Sequence, residues 1–259
     1  MNIEVLAAVM NKEPNKIIKS MNLNSNAIII NQCEKNEYIK IKYNNYEIDF
    51  YSFNERGVGL SRNNALMRAT GDIIVFADED MKYVNNYNDI IVEAFKNNPK
   101  ADMIVFNVLS SNQKRPTVKI LSNKKVHLFN CLKYGAVNFA VKREVIYKYN
   151  IYFSLLFGGG AKYSAGEDSL FIYEFIKNGG RVYTNSNVIG TVAQKSSTWF
   201  KGYTKKFFYD KGALYACISK RLCRILCLQF LIRHKFVLEN ITFLAAYSEM
   251  KKGINEILK

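Results

Sequence analysis

The chain has no apolar run of about 18 residues, so nothing in it has the length to cross a bilayer as a helix. It carries only two histidines, His127 and His234, which excludes a multi-histidine metal centre and argues against a Ser-His-Asp triad. Its five cysteines (Cys33, Cys131, Cys217, Cys223 and Cys227) are odd in number, scattered, and without a zinc-binding spacing. They favour a reducing compartment and serve as small buried apolar residues. The opening IEVLAAVM follows Met1-Asn2 directly and lacks the basic region and cleavage site of a signal peptide. Internal repeats and low-complexity segments are absent. Acid is scarce as well: 22 Asp and Glu stand against 37 Lys and Arg, a net charge of +15. That excess implies a polyanionic partner, whether nucleic acid, an anionic membrane surface or phosphorylated substrates.

What is present is a globular composition, 49% hydrophobic and 23% charged over 259 residues, enough for one α/β core with an appendage. Ile3 to Val9 reads as a first strand, followed by a short helix begun by Pro14 and ending near Met21. Ala27 to Ile30 reads as a second strand, ending at Asn31-Gln32-Cys33, and Tyr46 to Phe53 alternates as a third. The next helix and strand complete a β-α-β-β-α-β order within 80 residues, which predicts a mainly parallel sheet with helices on its faces. A helix over Asn86–Asn97, a strand over Met103–Val108, a long polar connection from Ser110 to Lys125, and a strand over Gly135–Arg143 follow. A helix over Glu167–Lys177 and a last strand over Val188–Val192 close the series.

The stretch GVGLSRNNALMRATGDIIVFADED, Gly57 to Asp80, organises this pattern. Ile73 to Ala77 is a short apolar run between turn signals, as expected of a strand buried on both faces. Asp78, Glu79 and Asp80 therefore stand at its carboxyl end, the edge where open α/β sheets bind ligands. Alternation places Asp78 and Asp80 on one side and Glu79 on the other. A divalent cation, Mn²⁺ or Mg²⁺, would offset the repulsion of such acids and share its shell with substrate phosphates. An acidic turn after a strand is also an ordinary solvated loop. Gly57-Val58-Gly59 is only half of a dinucleotide fingerprint, because Arg62 occupies the place of the third glycine. In Ser61-Arg62-Asn63-Asn64, a guanidinium and amides can face a nucleotide, or simply line an exposed helix start. Glu167 and Asp168 follow Gly166 at a helix start, where they can cap the helix or supply a general base.

In that order, GVGLSRNNAL, GDIIVFADED, GAVNFAVKRE and GEDSLF resemble the family 2 glycosyltransferases over roughly residues 1–200. The resemblance implies a GT-A fold, a single Rossmann-like, mostly parallel sheet flanked by helices, and inverting transfer of a sugar from a nucleotide-diphosphate donor, most simply a UDP-sugar. It implies that Asp78 and Asp80 match the DxD that contacts the donor or its metal, with Asp80 the more direct ligand, and that Asp168 is the catalytic base. Asn31 replaces the aspartate that usually follows the second strand, so the nucleobase contacts depart from the pattern. The QxxRW signature of processive synthases is absent, although Gln194 to Trp199 occupies a comparable region, which favours single addition. By the same resemblance the acceptor is a glycan or polyprenyl-diphosphate-linked glycan of bacterial surface polysaccharide synthesis. A sugar nucleotidyltransferase, or a non-catalytic basic membrane- or nucleic-acid-binding module, are the alternatives.

Trp199, the only tryptophan, can stack on a sugar or close the core, and Lys201, Lys205 and Lys206 near it can neutralise a diphosphate or form a solvated face. Glu167, Trp199 and Lys201 are thus candidates for the acceptor or diphosphate side. The expected organisation is a catalytic domain over 1–200, with donor and acceptor halves meeting near 108, and a basic helical C-terminal extension over 201–259. From Phe207 the extension mixes aliphatic and aromatic residues with lysine and arginine at helical spacing. It can lie on an anionic bilayer, at the inner face of a bacterial cell membrane, or pack on a second subunit as a homodimer. No nucleic-acid partner is expected, because acid lines the ligand edge.

Overall fold

Strand β5 (Ile73–Asp78) lies in the middle of the sheet because every residue before its last is apolar and both of its faces are covered. The computed structural model describes residues 1–113, 115–194 and 202–259. Its strands are β1 (Ile3–Met10), β2 (Asn26–Gln32), β3 (Glu37–Tyr43), β4 (Tyr46–Phe53), β5, β6 (Met81–Tyr83), β7 (Met103–Ser110), β8 (Lys125–Val126), β9 (Phe139–Lys142) and β10 (Val182–Val192). They form one sheet in the order β3-β4-β2-β1-β5-β9-β7-β10-β6, with β8 paired to β10. Strands β4, β2, β1 and β5 run parallel, as do β7 and β10, while β3, β9, β6 and β8 are antiparallel to their neighbours. The sheet is therefore mixed: a parallel set of strands with antiparallel insertions and edges.

The helices are α1 (Pro14–Met21), α2 (Val58–Arg68), α3 (Tyr87–Asn97), α4 (Arg143–Tyr149), α5 (Glu167–Lys177), α6 (Lys205–Ile218), α7 (Cys223–Arg233) and α8 (Phe243–Leu258). Strand alternation divides the core. Val5, Ala7, Ile73, Val75 and Ala77 face α1 and α3 through Ile17, Ile18, Tyr87, Ile91 and Phe95. Leu6, Ile74 and Phe76 face the opposite layer, where α2, α4 and α5 contribute Ala65, Leu66, Ile146, Phe171 and Phe175.

Three expectations change in the structure. Strand β3 lies between the expected second and third strands, where no element was expected. It pairs only with β4 and exposes Lys40 and Lys42, so its apolar signal is a single half-buried face of Ile39, Ile41 and Tyr43. Strand β10 starts at Val182 rather than Val188, since the exposed Ser186-Asn187 stretch sits at an irregularity in the pairing and interrupts the apolar run. The strand expected over Gly135–Arg143 is shorter. Ala136–Asn138 forms a 3-10 turn in which Asn138 Oδ1 accepts the Gly135 N–H and Nδ2 donates to the Phe106 carbonyl.

The C-terminal helices have their own core, and it is continuous with the loop before α5. Phe157 and Tyr163 of that loop pack with Phe208, Leu214, Ala246 and Met250. Helices α6 and α8 touch backbone to backbone at Gly212 and Gly253. A Cβ on Gly212 would lie 2.0 Å from the Met250 carbonyl oxygen, and one on Gly253 would lie 1.9 Å from that of Tyr209. Among the described residues no helix is long and apolar enough to cross a membrane.

Candidate active site

The alternation that buries β5 also aims its last residue. Asp78 shares the face of Ile74 and Phe76, the layer that contains α2 and α5. On α2, Arg62 precedes Ala65 and Leu66 by three and four residues, so it lies on the stripe that faces the sheet. On α5, Asp168 stands three, four and seven residues before Phe171, Ile172 and Phe175, which are all buried. Packing of the two helices on one sheet face brings the three side chains together.

Arg62 is the centre of this arrangement. It is 3% exposed and donates from Nη2 to Asp78 Oδ1 at 2.8 Å, and from Nη1 to Asp168 Oδ1 at 2.7 Å and Glu167 Oε1 at 3.1 Å. Its guanidinium lies 5.2 Å from the centre of the Phe153 ring. Burial works against the charge of Arg62, but the three carboxylates outweigh it and hold the guanidinium protonated above its ordinary range. The two acidic points that are far apart in sequence are therefore bridged by one cation.

The acids differ in access. Glu167 is turned inward; its Oε2 accepts the Gly166 N–H at 3.1 Å, so it caps its own helix. Burial first, and then the charge of Asp168, push its carboxyl up to about 7 against the pull of Arg62. Asp168 keeps 28% of its side chain exposed, and its Oδ2 lies beside the turn at Gly135, 3.3 Å from where a Cβ on that glycine would stand. Burial and the charge of Asp78 raise its carboxyl above the usual range, and Arg62 opposes them. The approach of Asp168 to Gly135 depends on the 3-10 turn that replaces the expected strand. It had no sequence signal beyond the Gly135 that begins the turn.

Past the end of β5, Glu79 and Asp80 form a turn, and their side chains diverge. Glu79 turns to the other face, where it accepts the Met10 N–H at 2.9 Å and pairs with Lys12 at 3.2 Å. Asp80 is exposed and accepts the Gln194 N–H at 2.8 Å. Desolvation raises its carboxyl, and the neighbouring Asp78 and Glu79 charges add to that.

Other candidates are tied into the scaffold. Asn31 reaches the row of strand ends but is buried; its Oδ1 accepts the Lys12 N–H and its Nδ2 donates to the Lys12 carbonyl and Ser52 Oγ. Of the two readings of Ser61-Arg62-Asn63-Asn64, facing a nucleotide or lining an exposed helix start, the exposed start does not hold. Asn63 is bonded to the Phe153 backbone, Asn64 to Glu55, and Arg62 to the carboxylates, while Ser61 is buried. Lys206 donates to Asp210 and to the Lys162 carbonyl rather than standing free. Trp199 and Lys201 lie outside the described residues.

The loop that delivers the acids is built to hold one conformation. Gly166, just before Glu167, has φ of 130°, and a Cβ there would lie 2.9 Å from Leu214 of α6. Asp210, also from α6 and 3% exposed, accepts from both the backbone N–H and the hydroxyl of Ser164 at 3.0 and 2.7 Å. The C-terminal helices thus brace the loop from which Asp168 projects.

The sequence profile described as "Glycosyl transferase family 2" matches residues 16–153, more than half of the chain. The chain belongs to glycosyl transferase family 2. This family 2 chain is similar in fold to residues 1–349 of S. aureus TarS, solved in complex with UDP-GlcNAc. The TM-score is 0.69 at 14% identity, and the match covers 100% of this chain and 81% of that one. It is also similar to mannosyltransferase PcManGT from Pyrobaculum calidifontis, solved in complex with GDP-Man and Mn²⁺, with TM-score 0.55 at 12% identity, covering 99% of this chain and 87% of that one. No curated protein matches the sequence.

Membership in this family marks the chain as a glycosyltransferase. Among the described residues no group of three or more His, Cys, Asp or Glu side chains forms a ready metal cage. Asp78 and Asp80 instead offer two carboxylates at an open strand end. Such a pair fits a hard cation that completes its shell with substrate phosphates and water rather than with protein groups.

Proposed function

We propose that this protein is an inverting transferase that moves one sugar from a UDP-sugar to a glycan or polyprenyl-diphosphate-linked glycan acceptor in bacterial surface polysaccharide synthesis. It works at the cytoplasmic face of the cell membrane. One observation carries the reading: Arg62 joins Asp78, at the carboxyl end of the central strand, to Asp168, at the start of α5. A donor seated across the strand ends would then have its diphosphate toward β5 and its sugar toward α5.

In this mechanism Asp168 accepts the proton of the acceptor hydroxyl as that oxygen attacks the anomeric carbon from the face opposite the diphosphate, which inverts the configuration. Asp168 suits the role better than Glu167 because it retains solvent access, whereas Glu167 is buried and engaged by Gly166. Arg62 acts as a positioning residue: it fixes the Asp168 carboxylate and links it to Asp78, leaving Asp168 the outward-reaching acid. Asp80 and Asp78 would hold Mn²⁺ or Mg²⁺, which when bound offsets charge on the departing diphosphate. Residues 1–200 form the catalytic domain in this reading, and 201–259 the extension that braces it.

Two measurements test the proposal. A thermal-shift screen of nucleotide sugars with and without Mn²⁺ should find stabilisation by one uridine donor that is larger with the ion. Asp168→Asn should lower turnover by about 10²- to 10⁴-fold while leaving the donor shift nearly intact. Equal loss of donor binding and turnover would remove Asp168 from the role of base.

A further inference from the structure

Helix α7 is apolar on two sides, and only one of them is used. Cys223, Cys227 and Leu231 are buried in the core that α7 shares with α6 and α8. Leu222, Ile225 and Ile232 point away from it and, with Phe236 in the 3-10 turn Lys235–Leu238, are between 49% and 62% exposed. Leu222, Ile225, Gln229 and Ile232 follow the three-then-four spacing that lines a single helix face. A surface helix ordinarily turns polar residues outward there, so this stripe is not explained by the fold.

The border of the stripe is basic. By helical position Arg221 and Arg224 flank it on one side and Arg233 on the other, and Lys220 and Lys235 stand at its ends; all five are exposed. Between Asp210 and Glu239 the chain contains no carboxylate.

We propose that this face of α7 and the Lys235–Leu238 turn dock on the surface of an anionic lipid bilayer. Leu222, Ile225, Ile232 and Phe236 enter the boundary of the acyl region, and the arginines and lysines lie among the headgroup phosphates. A second copy of the chain fits the face poorly. A two-fold contact through it would set Arg221, Arg224 and Arg233 against their own copies with no acid between them. A nucleic-acid backbone would use the cations and leave the apolar stripe in water. The inference deepens the proposed function by naming the surface that would meet a lipid-borne acceptor, and it rests on that reading only for this purpose.

Co-flotation of the full chain with vesicles, without donor or acceptor, tests the docking. The chain should float with vesicles of roughly one-third phosphatidylglycerol and not with pure phosphatidylcholine, and the bound fraction should fall steeply with salt. The double variant Ile225→Glu/Ile232→Glu should lose at least about tenfold in partition. Its melting temperature should stay within about 2 °C of wild type, with unchanged turnover on a water-soluble acceptor. Should the glutamates disturb folding, Ile225→Ser/Ile232→Ser gives the same readout. Undiminished flotation of a folded isoleucine variant would overturn the proposal, as would equal binding to neutral vesicles. So would a wild-type dimer in light scattering that becomes monomeric in the variant, or RNA binding by a chain that never floats. Turnover is scored separately, so docking can fail with transfer intact and transfer can fail with docking intact.

Discussion

Arg62 faces a demanding balance: it is buried beside three carboxylates, and the net charge of the four groups is negative when all are ionised. Glu167 relieves part of that repulsion by holding its proton toward neutrality. Its carboxyl is raised from 4.5 to about 7, so the folded state binds a proton that the unfolded chain releases earlier. The resulting stabilisation is complete below 4.5 and is lost as pH rises through about 7. Glu167→Gln removes this titration. The wild-type melting temperature should therefore fall relative to the variant as pH rises from 4.5 through neutrality, and parallel curves for the two proteins would refute the assignment. The Arg62 site was partly legible in the sequence. Its spacing from Ala65 and Leu66 places it on the buried stripe of α2, whereas reading it among Ser61, Asn63 and Asn64 left it facing either a nucleotide or solvent. What residue types did not carry was the approach of the Gly135 turn to Asp168, because it is made by backbone in a turn whose shape depends on Asn138.

Among elements, the contact between α6 and α8 is the tightest, since each glycine receives the carbonyl of the other helix. Gly253→Ala would drive a methyl against backbone that cannot rotate away. Overpacking of this kind costs about 1–3 kcal/mol, and the upper end applies here, so a fall of roughly 5–10 °C in melting temperature is expected. A fall below about 2 °C would mean that the helices separate easily. The same two helices reach the site through Asp210. Asp210→Ala leaves the Ser164 N–H and hydroxyl without their partner, at a cost of about 1–3 kcal/mol, and frees the loop that carries Asp168. Turnover should drop more than tenfold, by roughly one to two orders of magnitude, with donor affinity changed less. Equal turnover in the variant would show that the brace serves stability alone. Helix α5 and strands β1, β5 and β7 were legible because apolar residues dominate their patterns, with Glu4 and Asn107 the polar exceptions inside β1 and β7. Strand β10 was shortened in the reading by its polar middle, and β3 was missed because an edge strand with one neighbour needs few apolar residues.

At the scale of the molecule the sheet ends at both sides in strands that resist extension. Strand β6 has only three residues. At the other side β3 presents Lys40 and Lys42 to solvent, and Lys40 pairs with Glu47 at 2.8 Å on the neighbouring strand. The outer backbone of β3 is the one long row of amides in the sheet that no described strand covers, and a second chain adding there would have to bring its own copies of these lysines into line. The consequence concerns colloidal behaviour rather than catalysis. A cationic fringe of this kind keeps concentrated chains from stacking edge to edge into fibrils. Lys40→Val/Lys42→Val should leave the chain folded but make it form thioflavin-positive aggregates on gentle warming, while the parent sequence stays clear under the same treatment.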